Sequence, residues 1–387
     1  MQTAALAEKS VAVAYGRHGF DAEALMAAVD GLDLSRYIGF AYGSGFEGQP
    51  QLLARLSEKL PLIGNSPDAV AAVKHPATFF AALKRLGIRH PDVCHSLPEP
   101  CPHDYLIKSG GDCGGTHIRV VSRLRPVLAD NDYYQRRIDG QSVSLLFLAN
   151  PHGVEIIGFN EQWLSPAVHA PYRYGGAVSN PVLAPGVREQ LMHAAEMLAR
   201  EFGLTGLNSL DAIAPTANVD AAATADSPVF VLEINPRLSA TVDLYSAAAS
   251  RLFAWHVQAC LKTHSPNLHG RRSYDQNPYD QPQMHQPQMH QPARQHNAHA
   301  IVYAAAALEL AAPVSWPDWV TDIPACHEKR LSVPAGEPVC TVLASAGSAD
   351  AAKKLVQARV ETMQSLLQSL NGTAGANGFR CTSAQGL

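Results

Sequence analysis

Three stretches of the chain hold residue types able to grip an anion or a divalent cation. The first is YLIKSGGDCGG, where Lys108 ends an apolar run and Gly110, Gly111, Gly114 and Gly115 follow. Glycines let backbone N–H groups close on phosphate oxygens, and a lysine adds a point charge. The lysine precedes the loop, so this is neither GxxxxGK[ST] nor a GxGxxG opening a helix. A strand–glycine turn with a solvated lysine reads equally well. The second is Asp211, Glu233 and Asn235, set in the apolar runs GLNSLDAI and VFVLEIN. Strand side chains alternate, so Glu233 and Asn235 share a face. With Asp211 on a neighbouring strand facing the same way, three hard oxygen donors converge, a set that suits Mg²⁺. The competing reading is a solvent-facing acidic pair on an edge hairpin. Buried carboxylates need partners, which favours the metal. The third is Pro236-Arg237, a guanidinium able to clamp phosphate or carboxylate, or equally to close a buried salt bridge. Lys74 reads by default as a surface lysine. Gln135 and Ile138 are either a base-facing hinge or ordinary strand residues.

The elements that must position these groups follow from periodicity. Residues 10–15, 37–42 and 62–64 read as short strands with helices over 21–29 and 51–59 between them, a βαβ pattern. Residues 66–86 predict two helical pieces, the second opened by Pro76, and residues 105–109 predict a strand. Strands over 133–138 and 142–149 flank Asp139-Gly140, a strong hairpin signal. Residues 185–202 carry helical spacing, and 207–214 and 229–235 predict an antiparallel pair joined by a polar loop. Further strands are expected over 299–303 and 338–344, and a closing helix over 349–367. Residues 264–299 contain the tandem repeat QPQMHQPQMH and six of the 17 histidines. They lack a periodic apolar face and predict disorder, as does the tail over 371–387. Glu47 reads first as a helix-capping acid and second as a contact to a substrate.

Composition narrows the function. The 387 residues are 47% hydrophobic and carry a net charge of −4, so a core is available and no basic field marks a nucleic-acid binder. Seven cysteines without a CxxC pair are neither a disulfide framework nor a zinc ribbon. No signal peptide or membrane span is read, so the expectation is a soluble, cytoplasmic protein.

The succession of these motifs resembles the ATP-grasp superfamily: lysine on a helix, lysine–glycine loop, hinge strand, acidic strand, then EINPR. Within it the chain looks most like the carboligases distantly similar to biotin carboxylase, a branch that includes the tyramine–glutamate ligase of methanofuran biosynthesis. Related proteins accompany tetrahydromethanopterin-linked one-carbon metabolism. GSGFEGQPQLL, LIGNSPDAVAAVKHP, LEINPRLSAT, WPDWVTDIP and GEPVCTVLA carry that likeness. It implies an α/β chain of α+β lobes with a βαβ domain ahead of the grasp. The units are residues 1–72, a small lobe over 73–140, and a large lobe over 141–263 and 300–370. It implies ATP and Mg²⁺ or Mn²⁺, with Lys74 and Lys108 on the phosphates and Gly110 to Gly115 as the lid. Gln135 to Ile138 would meet adenine, Asp211, Glu233 and Asn235 the metal, and Arg237 the transferred group. The partners are then a small-molecule carboxylate and an amine, joined through an acyl phosphate, with a homodimer compatible with the likeness. Departures are Asp211 where Glu is common, Arg136-Arg137 where an acid is common, and His75 after Lys74.

Three other readings stay open: a nicotinamide-dependent dehydrogenase, although AYGRHGF lacks GxGxxG; a non-catalytic ATP-binding regulator; and metal storage on the histidine repeat. Deleting residues 270–297 is expected to leave nucleotide binding and turnover unchanged. Loss of either, followed by calorimetry and coupled assay, would restore the repeat to a functional role.

Overall fold

The computed structural model describes residues 11–16, 19–97, 99, 104–121, 128–214, 228–263, 295–311, 314–323 and 330–376. Its first unit holds a hairpin of β1 (Tyr15–Gly16) and β2 (Gly19–Phe20), then α1 (Ala22–Asp30), β3 (Phe40–Ala41), α2 (Pro50–Ser57) and β4 (Leu62–Ile63). Asp21 caps α1, accepting from the Ala24 amide at 2.8 Å. Strands β3 and β4 pair in parallel around α2, one βαβ unit. Residues 11–14 form no strand, contrary to the expected run over 10–15. Two of those four are alanines, which bring little side-chain surface to a pleated face.

Two helices follow, α3 (Pro67–Lys74) and α4 (Pro76–Arg85). Each opens on a proline, where the missing N–H costs nothing. Ser66 caps the first and His75 the second. Lys74 is therefore the last residue of α3, and its side chain is buried.

The small sheet comprises β5 (Val93–Cys94), β6 (Tyr105–Ser109), β7 (Arg119–Val120) and β8 (Asp132–Arg136), in the order β5-β8-β6-β7. The chain then enters β9 (Gln141–Asn150), β10 (Gly153–Leu164) and β11 (Tyr174–Ser179), crosses by α5 (Pro185–Phe202), and returns as β12 (Gly206–Ala214) and β13 (Phe230–Asn235). After α6 (Ala249–Thr263) come β14 (His296–Tyr303), β15 (Leu308–Ala311), β16 (Val320–Thr321), β17 (Arg330–Val333), β18 (Pro338–Ala346) and α7 (Ala349–Ala376). The large sheet runs β13-β12-β9-β10-β11-β14-β18-β16.

Asp139-Gly140 does not close a hairpin. Strand β8 pairs with β5 and β6, whereas β9 pairs with β10 and β12, so the turn carries the chain from one sheet to the other. Turn chemistry is local and does not say which sheet a strand joins. A Cβ on Gly140 would stand 2.5 Å from the Ala214 carbonyl oxygen, so the glycine lets the crossover pass close to β12. Strand β14 begins at His296, inside the stretch read as disordered, because its backbone pairs on both edges, with β11 and β18. Helix α7 likewise runs through residues 371–376 of the expected tail. The rest of that tail, the repeat over 264–294 and the polar loop over 215–227 lie outside the described residues. Among the described residues no helix is long and apolar enough to cross a membrane.

The two faces of the large sheet differ as period-two alternation requires. Val143, Leu145, Phe147, Leu210 and Ile234 pack with Leu191, Ala195 and Leu198 of α5. On the opposite face, Leu146, Leu148 and Leu207 lie under Leu252 and Ala259 of α6. Beyond that apolar end the same face turns polar with Ser144, Asn160, Asp211 and Glu233. The first unit is pinned to this sheet by Asn65. Its Nδ2 donates to Asn208 Oδ1 at 2.8 Å and to the Pro236 carbonyl at 2.9 Å, and its Oδ1 accepts from the Thr205 amide at 2.8 Å. Removing those partners leaves buried polar groups unsatisfied. Asn65→Ala is expected to cost on the order of 3 kcal/mol in urea unfolding; a change within about 0.5 kcal/mol would show that the pin contributes little.

Candidate active site

Pairing of β12 with β13 sets Asp211 directly opposite Glu233, and Ser209 opposite Asn235. Opposed residues of an antiparallel pair point to one side. The three predicted metal positions therefore share a face, as expected. Asn235 Nδ2 donates to Asp211 Oδ2 at 2.9 Å. Gln162 of β10 donates to the other Asp211 oxygen at 3.2 Å. The register slips between Asp211 and Ala212, a bulge beside the cluster.

Lys74 crosses to this face. Its Nζ donates to Glu233 Oε2 at 3.0 Å and to Asn235 Oδ1 at 3.2 Å. A surface lysine was the default reading, and the structure buries it instead. Lys108 stands opposite Tyr133 in the small sheet and is buried, with no ion-pair partner among the described residues. Its charge still reaches Glu233.

Arg237 is drawn to Glu47. Its Nε donates to Glu47 Oε1, Nη1 to the Leu238 carbonyl at 3.2 Å and Nη2 to Asn235 Oδ1 at 3.4 Å. Glu47 Oε2 accepts from the Gly45 and Phe46 amides at 2.8 and 3.1 Å. Glu47 caps no helix: position 49 takes that place at α2 and makes no side-chain cap. Its partner lies 190 residues away, which no local pattern could indicate.

The glycine loop after β6 bridges the lobes. Gly111 has φ +86°, and a Cβ there would stand 2.9 Å from Gly48 Cα. Gly115, at φ +72°, passes the Tyr172 carbonyl so closely that a Cβ would fall 2.0 Å from its oxygen. Gly110 abuts Pro76 and the Lys74 carbonyl, and the Gly114 carbonyl accepts from the Tyr174 amide at 2.9 Å. Burial, reinforced by Glu47, pushes the Cys113 thiol of this loop up, so it is protonated and not a nucleophile.

Gln135 lies opposite Leu106, on the face of the small sheet that carries Lys108. Its Nε2 is buried without a hydrogen-bond partner. Ile138 sits half-buried in the crossover. Neither is hydrogen-bonded to the carboxylate cluster. A separate cavity of about 710 Å³ is lined by Phe80, Lys84, Arg89, Tyr133 and Phe230, but by none of Lys74, Lys108, Asp211 and Glu233.

The donor set fits Mg²⁺. Two carboxylates and an amide oxygen are close-set, hard and polarised by neighbouring lysines. Burial raises the pKa of Glu233, but Lys74 and Lys108 outweigh it and hold the carboxylate below its usual range. Asp211 goes the other way: burial and the charge of Glu233 push it up to about 6. Gln162 was not legible as a site residue, because β10 also carries Glu155, Asn160 and Glu161 and a polar residue at 162 does not stand out.

The sequence and the fold both have relatives among known proteins. Residues 76–241 match the ATP-grasp domain. That span holds Lys108, the glycine loop, Gln135, Ile138, the three metal positions and Arg237, while Lys74 lies just ahead of it. The chain is 27% identical over 230 residues to the carbamoyl phosphate synthase large chain of Myxococcus xanthus, covering 52% of this chain and 20% of that one. It thus spans about a fifth of the length of the curated relatives it matches. Among solved structures it superposes on the biotin carboxylase domain of the Hydrogenobacter thermophilus 2-oxoglutarate carboxylase, in complex with MgADP and bicarbonate. The TM-score is 0.62 at 12% identity, over 88% of this chain and 77% of that one. The L-amino acid ligase of Bacillus licheniformis superposes with TM-score 0.57 at 12% identity, over 88% and 84% of the two chains. The chain has the ATP-grasp fold, as its motif order implied.

Because the folded-state pKa of Asp211 lies above its ordinary value, the folded chain holds that proton more tightly than the unfolded one. The associated stability is present below about pH 4 and is lost as pH rises through about 6. In EDTA, the melting temperature of the wild type is expected to fall across that window relative to Asp211→Asn. Parallel pH profiles for the two proteins would refute it.

Proposed function

We propose that this chain is an ATP-dependent, ADP-forming ligase that joins a carboxylate to an amine. The convergence of Lys74, Lys108 and Arg237 on Asp211, Glu233 and Asn235 carries the reading. Such a set suits phosphoryl transfer, where positioning and charge neutralisation do most of the work. Asp211, Glu233 and Asn235 would hold Mg²⁺, which would supply charge neutralisation to the phosphates. Lys108, free of an ion pair, neutralises the phosphate chain, and Lys74 exchanges its carboxylate contact for a phosphate. The glycine loop supplies backbone N–H groups and excludes water. The unpaired Gln135 Nε2 offers a donor to the base at the crossover.

In this reading a substrate carboxylate oxygen attacks the γ-phosphorus of ATP, releasing ADP and leaving an acyl phosphate. The amine nitrogen then attacks the acyl carbon, the C–O bond to phosphate breaks, and the amide forms. Arg237 faces the reacting oxygens, and Glu47 fixes its direction. The two arginines of the hinge, Arg136 and Arg137, lean toward Asp92 and Asp139 at 3.5 and 3.0 Å. That leaves the ribose contact to other groups.

The finer assignment, to the branch that includes tyramine–glutamate ligase and to one-carbon cofactor assembly, rests on the EINPR-flanking and C-terminal motifs. It makes glutamate the first acid to test, with an aromatic amine as its partner. A dinucleotide-dependent dehydrogenase is disfavoured: Gly43 to Gly48 does spell GxGxxG, but Glu47 within it is tied to Arg237, and among the described residues the first unit pairs two residues of parallel strand.

Screening acid–amine pairs for ATP consumption is expected to yield ADP and phosphate with amide in equal amount. Lys108→Ala and Glu233→Ala should each lower kcat/KM by about 100-fold or more, the scale of losing a group that stabilises developing charge. AMP and pyrophosphate as products would overturn the reading.

A further inference from the structure

The glycine loop carries one polar ring that no motif marks. His117 lies two residues past Gly115, close enough to the Cys113 backbone for it to favour a proton on the ring. Its Nδ1 is buried with no hydrogen-bond partner among the described residues. Buried ring nitrogens are normally paired, and an orphan has a cost unless a ligand fills the gap. The groups whose charge reaches this ring come from three elements: Glu233 on β13, Lys108 on β6 and Lys74 on α3. Glu233 is already bonded to Lys74. The ring therefore lies within electrostatic reach of Glu233 and of both lysines. Burial, helped by the lysines, keeps it neutral while no anion is present.

We propose that Nδ1 of His117 is the lid's own side-chain contact to the phosphate chain of the bound nucleotide, an inference that rests on the ATP-grasp reading of the site. An incoming polyanion offsets the two lysines and favours a proton on the ring. An imidazolium donates from both nitrogens, so it holds the Cys113 backbone and a phosphate oxygen together. The lid then closes through a side chain that senses the phosphates, beyond the backbone N–H groups of its glycines.

The test is calorimetric binding of MgADP, and separately of adenosine, to the full chain and three variants. His117→Asn keeps an amide nitrogen near the Nδ1 position, whereas His117→Gln reaches the Nε2 position and His117→Ala keeps neither. The wild type and His117→Asn are expected to bind MgADP within about threefold of each other. His117→Ala and His117→Gln should bind about 10- to 100-fold more weakly, the scale of a hydrogen bond to a charged group. Adenosine should bind all four alike. An unchanged His117→Ala, rescue by Gln in place of Asn, or equal loss of adenosine affinity would overturn this proposal alone. A wild-type chain that binds no MgADP would overturn the nucleotide reading and this proposal with it.

Discussion

The contact between Lys74 and Glu233 governs the rest of the site. An ammonium and a carboxylate removed from water each carry a desolvation penalty of several kcal/mol, about what good geometry and further hydrogen bonds must return. The fold supplies both. Lys74 is fixed at the C-terminal end of α3, where the helix stops against His75-Pro76. Glu233 is fixed by the strand register that sets it opposite Asp211. Asn235 completes the arrangement by accepting from Lys74 and donating to Asp211. The edge strand of the large sheet and the helix pair ahead of the small sheet are thereby held at one separation. That separation leaves Lys108 facing the same carboxylate without touching it.

The same logic gives the first unit its place. Its own parallel sheet is two residues deep, too little to stand alone. Instead it is welded to the large lobe by buried polar contacts. Asn65 binds the Pro236 carbonyl, and His256 accepts from the Leu207 amide at 2.9 Å while its Nε2 meets the Ile63 carbonyl at 3.1 Å. Burial lowers the His256 pKa to about 4, which keeps the ring neutral and able to do both. The Asn65 contact fixes the backbone just ahead of Arg237. Glu47 then reaches that arginine from a turn whose own amides have already oriented the carboxylate.

Most of the fold was legible because its signals are local or periodic. The β12–β13 pair, α5 and the split between α3 and α4 follow from alternation, helical spacing and two prolines. That Asp211, Glu233 and Asn235 share a face followed because alternation fixes the face once register is known. What escaped depends on contacts distant in sequence. Lys74 meets its partners 159 and 161 residues on, and Glu47 meets Arg237 across 190. Asp139-Gly140 misled for the converse reason: the turn is real, but the partners of its flanking strands are elsewhere. His117 was silent because a histidine after a glycine run looks like any loop residue. Only a buried, unpaired nitrogen distinguishes it.

The two carboxylates of the cluster are not equivalent, and the asymmetry is itself a mechanism. Glu233 sits among the lysines and is held ionised, whereas Asp211, desolvated and bordered by that fixed negative charge, is held back. In the proposed function, a divalent cation held by Asp211, Glu233 and Asn235 would meet one carboxylate already ionised and one that ionises on binding, so its binding would release a proton. It would also compete with Lys74 for Glu233 and Asn235, leaving that ammonium for an anion. A site built this way binds cation and polyanion better in combination than either alone, since each relieves the electrostatic cost the other would impose. In that reading the Lys74–Glu233 pairing would couple binding of the cation to binding of the nucleotide phosphates.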